Sequence, residues 1–96
     1  MNGDKILPYC AYILLSLKDG NFYVGFTSDL KRRLDEHNQG RNSSTASRRP
    51  FILVHAEYYL AKADAERREL YLKTTKGRRT LKLMLLESLK TVASNS

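Results

Sequence analysis

Cysteine is nearly absent. Cys10 is the only one in 96 residues, so no disulfide can close within the chain, and a reducing compartment is expected. With His37 and His55, the only histidines, it cannot complete the four-ligand set of a structural zinc site. Long apolar runs are missing as well. The aliphatic run Ile13-Leu14-Leu15 falls far short of the ~20 residues that span a bilayer, and the opening MNGDKILPYC lacks the apolar stretch of a signal peptide. The expectation is a protein that avoids membranes and resides in the cytoplasm. No internal repeat is visible. Acidic residues are outnumbered, ten against seventeen Lys and Arg, for a net charge of +7. Such an excess favours an anionic partner, most commonly nucleic acid.

What is present describes one small folded unit. A hydrophobic share of 42% and a charged share of 28% sit near globular averages. A chain of this length is expected to form a single domain over residues 1–96, with a core at about 9–89 and a frayed tail at 90–96. Tyr9 to Leu17 and Phe22 to Phe26 are rich in strand formers, and Asp19-Gly20 between them is a strong hairpin signal. As a two-residue loop it would set Leu17 opposite Phe22 and Ser16 opposite Tyr23. Alternation then puts Ile13, Leu15, Leu17, Phe22, Val24 and Phe26 on one face, and Tyr12, Leu14, Ser16, Tyr23 and Gly25 on the other. In that register the two tyrosines stand roughly 13 Å apart along the strands, a gap to be bridged by twist, long side chains or a looser turn.

Thr27 or Ser28 is expected to cap a helix reaching about Asn38, with Gly40 just beyond. Measured from Leu30 at 100° per residue, Leu34 lies at about +40°, His37 at about −20° and Arg33 at about −60°. Arg33 and His37 therefore flank the apolar stripe, whereas Arg32 faces water. Because two cations repel at this spacing, the pair implies a neutral His37 or an anion between them. RNSSTASRRP (41–50) reads as a polar loop. Phe51 to Tyr59 reads as a third strand, Ala61 to about Lys76 as a helix closed by Gly77, and Leu81, Leu85 and Leu89 as marks of a last helix. Glu69 falls on the inward stripe of its helix, an unusual place for a carboxylate. A salt bridge to Arg68, Lys73 or Arg33, or a bound cation, would account for it. The fold class expected is α+β: a small three-stranded antiparallel sheet with about three helices, in the order β-β-α-β-α-α. His55 and Cys10 read as structural.

Taken in order, these residues resemble the GIY-YIG nuclease superfamily, particularly its small stand-alone bacterial members, and are similar to the N-terminal nuclease domain of the excision-repair nucleases. Cys10-Ala11-Tyr12 corresponds to the first signature tripeptide and Tyr23-Val24-Gly25 to the second. Arg33 follows ten residues after the second tyrosine, His37 four later, and Glu69 lies on a later helix. The likeness covers roughly residues 9 to 86. Phe26 stands where the excision-repair nucleases carry a lysine, and no asparagine occurs near Thr80.

The resemblance implies hydrolysis of DNA phosphodiester bonds with one Mg²⁺ or Mn²⁺ ion anchored by Glu69, in a setting that is structure-selective and repair-related. A lone carboxylate suffices for Mg²⁺, which keeps most of its waters. Tyr12, Tyr23, Arg33, His37 and Glu69 are the expected catalytic set. Arg33 supplies positive charge, Tyr23 activates water, His37 relays the proton and Tyr12 orients water or phosphate. Arg41, Arg48, Arg49, Lys73, Lys76, Arg78 and Arg79 are candidate nucleic-acid contacts. The competing expectation is a weakly catalytic or inactive module of the same fold that grips DNA or RNA. The sequence does not indicate oligomeric state.

Overall fold

The computed structural model describes residues 7–94. The chain runs β1 (Tyr9–Ser16), β2 (Phe22–Thr27), α1 (Leu30–Asn38), a single 3-10 turn at Ala46–Arg48, β3 (Phe51–Tyr59), α2 (Lys62–Leu72), α3 (Thr75–Met84) and α4 (Leu86–Ser94). The three strands form an antiparallel sheet in the order β2-β1-β3. This is the α+β architecture expected, with four helices instead of about three. Among the described residues, no helix is long and apolar enough to cross a membrane.

Strand alternation divides the core into two layers. Ile13, Leu15, Phe22 and Val24 face Leu72, Leu81 and Leu85 of the later helices, with Ile52, Val54, Tyr71, Leu89 and Val92 around them. Cys10, Tyr12, Leu14 and Phe51 face the other way, with Leu30 and Leu34 of α1 packed against them. The central strand β1 is thus covered on both faces and paired on both edges, and residues 10–16 are all buried. Truncating a fully buried side chain such as Leu81 to alanine would cost about 2–5 kcal/mol.

The hairpin departs from the two-residue loop. Leu15 pairs with Phe22, Leu14 with Tyr23 and Tyr12 with Gly25. A type I′ turn needs positive φ at both central residues, yet Gly20 (φ 73°) is the only turn residue with positive φ. The chain instead folds a longer turn around Ser16. Its Oγ accepts from the amides of Lys18 (3.2 Å) and Asp19 (3.1 Å), and Asp19 Oδ1 accepts from Asn21 N at 2.9 Å. The slip is two residues, so side chains within the strands keep their expected faces while the tyrosines approach, whereas Leu17, expected on the inner face, falls beyond β1 and is exposed.

Helix ends differ too. Asp29, not Thr27 or Ser28, caps α1 by accepting from Arg32 N at 3.1 Å. Thr27 Oγ1 supports the turn by accepting from Asp29 N at 3.0 Å. Gly40 (φ 74°) ends the helix as expected, and Arg41 N donates back to Glu36 O at 3.0 Å. Gly77 does not close α2. That helix stops at Leu72, Thr74 caps α3 by accepting from Gly77 N at 2.9 Å, and Gly77 lies buried inside α3. A Cβ at Gly77 would collide with the carbonyl of Tyr71, so glycine here permits a close helix approach rather than a helix stop. The frayed tail expected at 90–96 is helical through Ser94, where Leu89 and Val92 pack against the core. Its last two positions lie outside the described residues.

Candidate active site

β1 and β2 present Tyr12 and Tyr23 on the α1 face of the sheet, with ring centroids 6.3 Å apart. The looser turn closes the gap expected from the tight one. Gly25 makes room: it sits opposite Tyr12, and any Cβ there would overlap the Tyr12 ring. α1 contributes His37, which is fully buried. Its Nε2 lies 2.8 Å from the Tyr12 hydroxyl and its Nδ1 lies 2.9 Å from Thr45 Oγ1. Tyr23 meets the imidazole ring edge-on at 5.0 Å between centroids, and Phe51 closes the side at 6.1 Å. The hydrogen bond to His37 therefore comes from Tyr12, not from Tyr23 as the expected relay requires.

Burial, with the Arg33 guanidinium acting in the same direction, lowers the His37 pKa from its usual value, outweighing Glu36. The ring is neutral near pH 7, one of the two conditions under which the Arg33–His37 pair makes sense. Burial and then the neighbouring Tyr23 push the Tyr12 phenol upward. Arg33 pulls it down, and Glu69 and Cys10 add to the rise. Tyr12 at rest is a protonated phenol whose hydroxyl lies against His37 Nε2, and it feels the charges of both Arg33 and Glu69.

Arg33 is half-buried, with 34% of its side chain exposed and Nε 3.7 Å from the Glu36 carboxylate. That Nε is buried and has no hydrogen-bond partner among the described residues. An orphaned guanidinium donor is costly unless a ligand meets it. Arg33, Glu36, Arg41, Asn42 and Ser43 line a cleft of about 380 Å³ beside it.

Glu69 keeps 19% of its side chain exposed and pairs with Lys73 Nζ at 3.0 Å, one turn along α2. Of the three cations considered from the sequence, Lys73 is the partner. Arg68 instead grips Glu57, with Nε–Oε1 at 2.8 Å and Nη2–Oε2 at 3.2 Å. Glu57 also takes the Tyr59 hydroxyl (2.7 Å) and lies 2.8 Å from His55 Nε2, so His55 is structural as expected. Among the described residues no cluster of three or more His, Cys, Asp or Glu could hold a metal ion. A cation here would have a single carboxylate from the protein, which suits an ion that keeps its waters.

The remaining basic residues divide by task. Arg41 lines the cleft beside Arg33. Arg48 is engaged by the hairpin: its Nε reaches Asp19 Oδ2 at 2.7 Å, and its Nη2 reaches Asp19 Oδ1 and the Asn21 carbonyl, both at 3.2 Å. Arg49 is exposed, with Nε on the Ala46 carbonyl at 2.8 Å. On α3, Lys76 and Arg79 are exposed and Arg78 is partly covered, lining a second cleft of about 300 Å³ with Lys82 and the hairpin tip. Sequence reasoning missed Thr45. It lies in a polar stretch with no periodicity, and only its burial, at 0% exposed, distinguishes it from the neighbouring serines.

Comparison with known proteins identifies the family and the fold. The family model described as the GIY-YIG catalytic domain matches residues 8–82. The UPF0213 protein SH2523 of Staphylococcus haemolyticus is 35% identical over 72 residues, which cover 74% of this chain and 88% of that one. The UPF0213 protein SSP2268 of Staphylococcus saprophyticus is 36% identical over the same shares. Among solved structures, the solution NMR structure of the UPF0213 protein BH0048 from Bacillus halodurans superposes with a TM-score of 0.51. It is 35% identical, covering 81% of this chain and 83% of that one.

Proposed function

From the premise that this chain belongs to the GIY-YIG catalytic domain family, whose fold is of nuclease type, we propose that it is a metal-dependent endonuclease that hydrolyses phosphodiester bonds in DNA. The observation that carries the reading is the buried Tyr12–His37 hydrogen bond at 2.8 Å, made where Tyr12 feels both Arg33 and Glu69. A packing role alone would not require a neutral histidine beneath a phenol with an orphaned guanidinium alongside.

In this reading Arg33, helped by Arg41, receives the scissile phosphate in the cleft. Its fixed charge opposes the negative charge that gathers in the transition state. A water attacks phosphorus and gives its proton to the Tyr12 oxygen as Tyr12 gives its own to His37 Nε2. The P–O bond to the leaving sugar oxygen breaks, and that oxygen is protonated by solvent. Tyr23, edge-on to His37, orients water or phosphate. These assignments exchange the roles of the two tyrosines relative to the sequence expectation, because His37 bonds Tyr12. Glu69 would hold a divalent ion, Mg²⁺ or Mn²⁺, which supplies charge stabilisation at the phosphate when bound. Lys73 must release the carboxylate first.

The Glu69–Lys73 ion pair favours a second reading, a module that binds DNA or RNA without cutting it. Nicking of supercoiled plasmid with Mg²⁺, Mn²⁺ or a chelator decides between them. Metal-dependent nicking is expected, falling by roughly 10²-fold or more in Glu69→Ala while DNA binding persists. Binding with no nicking in either metal leaves the second reading. Cleavage that survives Glu69→Ala unchanged removes the metal assignment. A panel of labelled duplexes, flaps and junctions tests the structure-selective, repair-related setting, with faster cutting of branched DNA expected.

A further inference from the structure

His37 has a hydroxyl on each ring nitrogen: Tyr12 at Nε2 and Thr45 at Nδ1. A neutral imidazole carries one N–H, so one nitrogen donates and the other accepts. Which nitrogen donates depends on what else the hydroxyls do. Thr45 Oγ1 also reaches the carbonyl of Asn42 at 3.4 Å, and a carbonyl can only accept. A Thr45 proton directed at that carbonyl, which also accepts two amide N–H groups, would leave Oγ1 to receive the Nδ1–H. The lone pair then lies on Nε2, facing the Tyr12 hydroxyl.

The loop that holds Thr45 is built for this. Asn42 O accepts from the amides of Thr45 (3.1 Å) and Ala46 (2.9 Å), and Arg48 N donates to Thr45 O at 2.9 Å. Three bonds then tie the segment to the hairpin. Ser16 Oγ donates to Arg48 O at 2.7 Å, Lys18 Nζ donates to Ser47 O at 2.8 Å, and Leu17 N donates to Pro50 O at 2.8 Å. Thr45 is buried to 0% exposure, so no water competes for Nδ1.

We infer that Thr45 is a positioning residue: by accepting from Nδ1 it fixes the His37 tautomer that can take the Tyr12 proton at Nε2. This rests on the proton path under the proposed function. When the proton transfers, Nε2–H turns back toward the Tyr12 oxygen and Nδ1–H stays on Thr45, so the same bond serves both protonation states. A hydroxyl that only stitched its own turn would leave the tautomer indifferent to its removal.

The test uses the full chain, ¹⁵N-labelled at histidine, with long-range proton–nitrogen spectra near pH 7.5. The wild type is expected to show His37 protonated at Nδ1. Thr45→Val, similar in shape but without the hydroxyl, should shift population to the Nε2–H form and slow plasmid nicking by at least roughly tenfold with DNA binding retained. Thr45→Ser should restore both. A wild-type Nε2–H tautomer overturns the inference, as does an Nδ1–H form unchanged in Thr45→Val. So does nicking within about twofold of wild type in a Thr45→Val protein whose tautomer has changed. If Thr45→Val fails to fold, the wild-type and Thr45→Ser spectra decide alone, with Nδ1–H upholding and Nε2–H overturning. A wild type that nicks nothing removes the nuclease reading and leaves the tautomer result standing, so the two failures are distinct.

Discussion

Replacing Tyr12 with phenylalanine removes the hydroxyl that His37 Nε2 bonds while keeping the ring that fills the space over Gly25. Cleavage is expected to fall by roughly 10²- to 10⁴-fold with little change in DNA affinity, the usual range for losing a positioned acid–base group. Tyr23→Phe should cost less, because its ring contact with His37 survives. Rates of both variants on one labelled duplex test this, and the reverse order would return water activation to Tyr23. His37 also makes stability depend on pH. Its folded pKa lies below the usual value of ~6.5, so the unfolded chain binds the proton more readily. Stability is therefore full above the unfolded pKa and falls as pH drops below about 6.5. Melting temperature should be lower at pH 5.5 than at 7.5, with a shallower difference in His37→Gln. Equal temperatures for the wild type would contradict the neutral, buried ring. Glu57 adds a second, more acidic loss. Burial alone would raise its pKa, but bonds from Arg68, Tyr59 and His55 hold it at about 2. Its contribution is present above the usual carboxylate value of ~4.3 and fades as pH falls toward 2.

Between elements, two junctions position the site. α3 presses on the end of α2 through Gly77, where a methyl group would meet the Tyr71 carbonyl. Gly77→Ala should destabilise by about 1–3 kcal/mol, the range for overpacking a tight contact, read as a lower urea midpoint; an unchanged midpoint would mean the helices part freely. The loop between α1 and β3 is clasped to the hairpin by Arg48, whereas Arg49 points outward. Arg48→Ala should lower stability only slightly, read as a small drop in urea midpoint, since its ion pair is partly exposed. Arg49→Ala should leave stability alone and reduce the salt slope of duplex binding by about one, the increment for one phosphate contact. A slope reduced by Arg48→Ala alone would reverse the two roles. These junctions mark the limit of what the sequence made legible. Strand alternation sorted the faces correctly because a register slip of two preserves them. The turn itself was misread because Asp19-Gly20 suits a tight hairpin, while Ser16, ordinary within a strand, organises a longer one. Gly77 reads as a stop because glycine serves both stops and close approaches, and only the packed partner tells them apart. Thr45 was invisible for the same reason: its role comes from a residue eight positions away in the chain.

Across the whole molecule, Tyr12, Tyr23, Arg33, His37 and Glu69 were each recognised by spacing. The structure packs the rings of Tyr12, Tyr23 and His37 against one another, with the charges of Arg33 and Glu69 felt at Tyr12. Helical angles found Arg33 and His37 because period and burial agree there. The partner of Glu69 stayed open because several cations lie within reach of any helix this basic. β1, bonded to a strand on each side and roofed by helices above and below, carries Tyr12 at its middle. An innermost strand exchanges its amide protons only through the rarest, whole-molecule openings. The Tyr12 hydroxyl is therefore mounted on the last part of the protein to come apart. Heating should extinguish cutting and the far-ultraviolet dichroism signal together, with no interval in which a folded but idle enzyme persists.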